Sequence, residues 1–253
     1  LTLSPRSPSK RQTGLRVGGA FCYQGRCDKP YDGPPSINII VDSFAGVFLI
    51  GMIGPMVIEK QISPAEMIGE FLRAELHSSR FRNGSLRALS MLGQDEDLVE
   101  NPNYANNEQN NLREGMLGLC RGWPNKELFT NFPTNTRWFK AYISLGELKQ
   151  SYRLKSSCEM TDEERLLEAV ADRVMRAEAV KHIDNELIHE VRKKIKEHEV
   201  LPPIILVGTD IDSRMVLIEG HSRSVAYSTF AQLPNDIPAI VGLSDRMANW
   251  AYF

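Results

Sequence analysis

The chain has 253 residues, of which 42% are hydrophobic and 25% charged. This length and composition predict a globular protein with one large or two small domains. The formal net charge of -2 excludes a general electrostatic attraction to nucleic acid or to an anionic membrane surface, so a phosphate contact must come from a local patch.

The four cysteines are dispersed, and the one Cys-x4-Cys pair matches no four-ligand zinc spacing. We therefore expect reduced thiols and a cytoplasmic protein. The cysteines are Cys22, Cys27, Cys120 and Cys158.

The N-terminal part contains an apolar run, Phe44–Ile58, that glycines and Pro55 interrupt. The run is too deep in the chain for a signal peptide and shorter than the roughly 20 residues of a membrane span. We interpret residues 1–55 as a disordered leader or a non-native segment, and we expect no membrane partner. Membrane association and a buried strand or hairpin remain the alternatives.

Residues 56–136 are predicted to be mostly helical. A helix is predicted to start here, with Ser63 as its N-cap, Pro64 as its first residue and Glu66 as the acid at position N3. A second helix is predicted over Ser85–Leu92. The buried face of the first helix is expected to comprise Met67, Ile68, Phe71, Leu72 and Leu76.

Two loops are predicted in this region. The first, Arg80–Gly84, is a basic turn that is either a solvated loop or a lid contacting phosphate. The second, Asn101–Asn111, is rich in Asn and has no apolar period, which is typical of an exposed loop.

Residues 137–253 are predicted to form a second domain. Trp138–Leu145 suits a strand that could be the first edge of its sheet. Thr161 and Asp184 are N-cap residues that open two helices. The inward residues of the Thr161 helix are expected to be Leu166, Leu167, Val170 and Val174, and those of the Asp184 helix Leu187, Ile188, Val191 and Ile195.

Charged residues in the Asp184 helix give no specific site. The basic run Arg192–Lys196 is interleaved with glutamates, which favours a solvated face over a nucleic-acid patch. The nearby His182, His189 and His198 match no metal-binding spacing.

The most informative segment is a strand that ends in Glu-Gly-His-Ser-Arg before a helix predicted at Ser224–Phe230. Gly220 lets the backbone approach a ligand, and the free N–H groups of a helix start attract an anion. His221, Ser222 and Arg223 add side-chain donors suited to phosphate oxygens. The segment therefore predicts a site for a nucleotide or another phosphorylated molecule.

Glu219 is the first candidate for chemistry at this turn. A carboxylate beside an anion site is unfavourable for phosphate binding alone, which indicates magnesium coordination or a general base for a substrate hydroxyl. The alternative is an ion pair with Arg223 or Arg214. His221 is the second candidate, because a bound anion would favour its charged form; the alternative is a structural histidine.

The order of elements resembles the ParB/sulfiredoxin superfamily over roughly residues 137–244. The resemblance rests on the Pro202-Pro203 entry, the Glu-Gly-His-Ser-Arg motif and the following segments. They are a helix at Asp184–Val200, strands at Pro203–Val207 and Arg214–Ile218, the helix after the motif, and a strand at Ile237–Val241. It implies an α+β fold, a small mixed sheet with flanking helices.

Members of this superfamily include CTP-binding centromere proteins, sulfiredoxins that use ATP, and free-serine kinases with an Asp-Gly-His-His-Arg motif. His221 stands where a sulfiredoxin has its cysteine, and no helix-turn-helix segment follows before Phe253, so neither of the first two activities is expected. The pattern is nearest to the kinases, with Glu219 at their aspartate and Ser222 at their second histidine. Kinase-like relatives also place an acid near Glu147.

The resemblance implies a nucleotide-binding protein that uses ATP or CTP with Mg²⁺ as a phosphotransferase to a small-molecule hydroxyl, or as a nucleotide hydrolase. Gly220, His221, Ser222 and Arg223 would hold the nucleotide. Glu219, His221 and Glu147 would be catalytic, with Glu219 also the metal ligand. The alternative is a non-catalytic regulatory or DNA-associated module, which the basic patches at Arg80–Arg87 and Arg192–Lys196 motivate; nucleic acid is the less favoured partner.

Overall fold

The computed structural model describes residues 56–155 and 160–253, and these form a mixed α+β fold. The strands are β1 (Val57–Ile62), β2 (Arg137–Ile143), β3 (Tyr152–Arg153), β4 (Ile204–Gly208), β5 (Val216–Glu219) and β6 (Ile237–Leu243). The helices are α1 (Pro64–Leu76), α2 (Arg82–Met91), α3 (Asp97–Glu100), α4 (Asn107–Arg121), α5 (Leu145–Lys149), α6 (Asp162–Arg165), α7 (Leu167–Met175), α8 (Asn185–Lys196) and α9 (His221–Ser228). The prediction of a mixed sheet with flanking helices is confirmed. The predicted leader, residues 1–55, and Cys158 lie outside the described residues.

Within the described residues the strands form a six-stranded sheet in the order β1-β2-β6-β4-β5-β3. Strands β4 and β6 are parallel, as are β3 and β5, and the other neighbours are antiparallel. The expectation that Trp138–Leu145 forms a sheet edge is wrong, because β1 pairs with β2 and aligns Ile62 with Trp138. A buried strand must satisfy its backbone groups on both sides, and β1 supplies the second partner.

Both faces of the sheet are covered by helices, which explains why β4 is a continuous apolar run. Ile205 and Val207 belong to the core on one face, together with residues of α1, α2, α3 and α4. Ile204 and Leu206 belong to the core on the other face, together with residues of α5, α7, α8 and α9. The helices of residues 56–136 therefore share a hydrophobic core with the central strands.

The predicted helix starts are confirmed where a local cap defines them. Ser63 and Thr161 each form a complete capping box with the glutamate three residues later. The Asp184 carboxylate accepts hydrogen bonds from the N–H groups of Glu186 and Leu187 at the start of α8. The predicted inward face of α1 is buried throughout.

Two predictions in the helical region are wrong. Helix α2 begins at Arg82 and not at Ser85, because the Phe81 carbonyl already accepts hydrogen bonds from the following helical turn. Helix α4 begins at Asn107, within the predicted exposed loop, because the Asn106 side chain caps it.

The helix opened by Thr161 is also shorter than predicted. It stops at Arg165, and α7 starts at Leu167. Between them Leu166 has an extended backbone and forms a β-bridge with Tyr152. Pairing with the sheet edge thus interrupts a segment whose apolar spacing is helical.

Candidate functional site

The Glu-Gly-His-Ser-Arg segment forms a tight turn between β5 and α9. Gly220 has a φ of +89°, in the left-handed region that favours glycine. The prediction that the helix starts at Ser224 is wrong: α9 begins at His221, and the Ser224 N–H donates to the Gly220 carbonyl over 2.8 Å. His221, Ser222 and Arg223 are therefore the first three helical residues, whose N–H groups have no acceptor within the helix.

Glu219 and Arg223 face each other across this turn. Arg223 Nη2 lies 3.7 Å from Glu219 Oε1, and each side chain is 13% exposed. The same nitrogen donates to the Pro203 carbonyl over 3.1 Å, whereas the buried Nε has no protein partner among the described residues. Burial raises the pKa of Glu219, and the charges of Arg223 and Arg121 oppose this rise. The ion pair named as an alternative at Glu219 is thus present, although it is long.

The charges of four guanidinium groups act on His221. Burial is the largest effect on this imidazole, and it acts with the charges of Arg153, Arg121, Arg80 and Arg223 to lower the pKa of His221 to about 3. We call these residues the arginine cluster. The imidazole is neutral at pH 7, so the charged form expected from the sequence would require a bound anion to offset the cluster.

Arg153, on β3, belongs to the arginine cluster, and the sequence did not predict a role for it. Its residue surface is 5% exposed, and burial lowers the pKa of its guanidinium to about 10. Nη2 donates to the Lys181 carbonyl over 3.0 Å, but Nε has no hydrogen-bond partner and no carboxylate lies within 4 Å among the described residues. A buried charge without a counter-ion is unfavourable, and an anion would relieve it.

The helical region contributes Glu75 of α1 and Arg121 of α4. Glu75 is 2% exposed, and Nε and Nη2 of Arg121 both contact its Oε1. Burial raises the pKa of Glu75 to about 7 despite Arg121, and the charge of Glu219 raises it further. The charges of Glu75 and Glu219 therefore affect each other. The position of Glu75 on the buried stripe of α1, between Leu72 and Leu76, was a signal that the sequence analysis missed.

Glu147 is not joined to this network. Its Oε2 completes a capping box with Ser144 at the start of α5, and its Oε1 accepts the Met56 N–H over 2.6 Å. No hydrogen bond or ion pair in the described residues connects Glu147 to Glu219 or His221. Its catalytic role stays a prediction.

The side chains around the turn also determine how Mg²⁺ could bind there. Among the described residues no three His, Cys, Asp or Glu side chains come together as a metal cage. Mg²⁺ that arrives with a nucleotide needs only one or two carboxylates, because phosphate oxygens and water complete its shell. Glu219 fits that requirement.

None of the helices in residues 56–155 and 160–253 is long and apolar enough to cross a membrane. Comparisons of the chain with protein-family models, with curated proteins and with solved structures found no match.

Proposed function

We propose that the chain binds a nucleotide at the Glu219–Arg223 turn and acts as a phosphotransferase to a small-molecule hydroxyl, or as a nucleotide hydrolase. The ligand would be ATP or CTP, with its phosphates at the start of α9 beside Arg223 and Arg153. The resemblance of the element order to the ParB/sulfiredoxin superfamily supports the same class of ligand.

The observation that carries the proposal is Arg153. A buried guanidinium with an unbonded Nε, and with no carboxylate within 4 Å in the described residues, would be stabilised by a negative partner. Its charge acts on His221, the first residue of α9. A phosphate group provides both the charge and the paired oxygens that guanidinium groups bind best.

Each residue of the turn has a role in this scheme. The N–H groups at the start of α9, with Arg223, hold phosphate oxygens and offset charge on the transferring phosphoryl group. Magnesium, when bound with the nucleotide, supplies further charge neutralisation, and Glu219 would hold it. Alternatively Glu219, whose pKa is raised, acts as the general base and takes the proton from the acceptor hydroxyl. The hydroxyl oxygen then bonds to the terminal phosphorus, and the nucleoside diphosphate leaves as its bond to that phosphorus breaks.

Isothermal titration of ATP, CTP, GTP and ADP with magnesium tests binding. Arg223→Ala should weaken the preferred nucleotide by about 1–3 kcal/mol, the range for a lost charge-assisted hydrogen bond. Arg246→Ala is the matched control, because Arg246 lies near the far end of β4 from the turn. The N–H of the nearby Ser244 donates to the carbonyl of Gly208, the last residue of β4, whereas the turn contacts Pro203 and Ile204 where β4 begins. Unchanged affinity in Arg223→Ala would move the site elsewhere.

The second candidate is a non-catalytic regulatory or DNA-associated module. Its basic patch on α8 is partly neutralised, because Lys193 lies 3.8 Å from Glu197 and Lys194 lies 3.5 Å from Glu199. A salt-sensitive shift of duplex DNA would favour this candidate, since phosphate contacts release counter-ions. Nucleotide binding without turnover would favour the regulatory form.

A further inference from the structure

Phe81, in the turn before α2, carries two guanidinium groups on its ring. The guanidinium carbon of Arg121 lies 4.0 Å from the ring centroid and that of Arg80 lies 4.9 Å from it. Each contact is favourable, but the aromatic ring neutralises neither charge. The helical region therefore holds two cations side by side on one ring. Both charges also act on His221, the first residue of α9.

Glu75 fixes the direction of Arg121. A buried ion pair is often no more stable than apolar side chains of the same size, so stability does not explain a carboxylate in the core. The pair does hold Nε and Nη2 on one side, and Nη1 makes no hydrogen bond in the described residues. Gly122, with a φ of +80°, ends α4 directly after Arg121 and fixes the backbone there.

We propose, building on the proposed nucleotide site, that the helical region forms the second half of that site: Arg80 and Arg121 bind phosphate groups, and Glu75 is the positioning residue for Arg121. The ligand carries at least two linked phosphates. A terminal phosphate offers three acceptor oxygens, and each guanidinium binds oxygens in pairs. The four guanidinium groups of the cluster therefore match a diphosphate or triphosphate better than a single phosphate.

Inorganic anions test this inference on the full chain. Pyrophosphate and tripolyphosphate should bind at least about tenfold more tightly than orthophosphate in calorimetry, because they engage both halves. Arg80→Ala and Arg121→Lys should each lose about tenfold for pyrophosphate, the second because lysine keeps the charge without the fork. Arg246→Ala should bind like the wild type. Equal affinity for orthophosphate and pyrophosphate would overturn the ligand class.

A double-mutant cycle tests the role of Glu75. Glu75→Gln should weaken pyrophosphate binding in the wild-type background and have no further effect in Arg121→Ala, because it acts through that guanidinium. Additive losses would overturn the positioning role. Thermal unfolding checks each variant, and Arg80→Ala keeps the test decisive if the Glu75 and Arg121 variants do not fold, since Arg80 is exposed.

The two proposals fail in different ways. If a nucleotide binds and Arg223→Ala weakens its binding, while Arg80→Ala and Arg121→Lys match the wild type, the composite site is wrong and the nucleotide site stands. If the wild type binds no nucleotide and none of the inorganic phosphates, both are wrong.

Discussion

Replacing Gly220 with alanine tests the turn on which the site is built. A Cβ at this position would lie 2.9 Å from Ile204 Cγ2 and 3.1 Å from Arg223 Nη2, and the φ of +89° is unfavourable for alanine. The left-handed backbone costs about 1–2 kcal/mol. The clash with the buried Ile204 adds about 1–3 kcal/mol, as is usual for overpacking. We expect the free energy of unfolding to fall by about 2–5 kcal/mol in total.

Urea unfolding followed by circular dichroism measures this change. Gly84→Ala is the matched control, because Gly84 lies inside α2 and an added Cβ would meet nothing within 4 Å. That control should be about 0.5–1 kcal/mol more stable than the wild type, since alanine favours a helix. If Gly220→Ala unfolds at the wild-type urea concentration, the left-handed turn and its contact with Ile204 are wrong. Nucleotide affinity should fall as well, because the new Cβ displaces Arg223.

Three further predictions concern the ionisable groups. Glu219→Gln should abolish release of phosphate from the bound nucleotide while calorimetric affinity stays nearly intact; equal loss of both would contradict a catalytic role. The pKa of Glu75 is raised to about 7 in the folded chain, so the wild type loses stability as the pH rises from 4.5 to 7. In urea unfolding, the free energy of unfolding of Glu75→Gln should therefore rise relative to that of the wild type, by an amount approaching about 3 kcal/mol over that interval. A constant difference would mean that the pKa of Glu75 is not raised in the folded chain. The pKa of His221 is lowered to about 3, so the wild type loses stability as the pH falls below 6.5. Acid unfolding of His221→Gln should show a smaller loss, and identical acid profiles would refute the lowered pKa of the imidazole.

The elements that the sequence predicts well are those with local causes. Ser63 and Thr161 define helix starts because the cap and its acid are three residues apart, and the structure has both boxes. At Leu166 the prediction of a continuous helix is wrong, because pairing with Tyr152, fourteen residues earlier, outweighs helical spacing. The prediction of a sheet edge at β2 is wrong as well, because its partner β1 is separated from it in the chain by α1–α4.

The candidate site shows the same division. The turn at Gly220 could be located from the sequence, since its glycine, donors and helix are contiguous. The contact of Glu75 with Arg121 joins residues 46 positions apart, and the field of Arg153 on His221 depends on the order of the strands. No local pattern encodes such pairs. A charged residue on an otherwise apolar helix face, as at Glu75, is the only local sign that it has a partner elsewhere in the chain.

The shared core has a practical consequence for dissecting the protein. A fragment that begins at residue 137 keeps the Gly220 turn, but it loses β1, the helices that cover Ile205 and Val207, and two members of the arginine cluster. Its sheet would have an open edge beside β2 and one uncovered apolar face, both of which promote aggregation. Expression trials and chimeras should therefore keep residues 56–253 together as one unit.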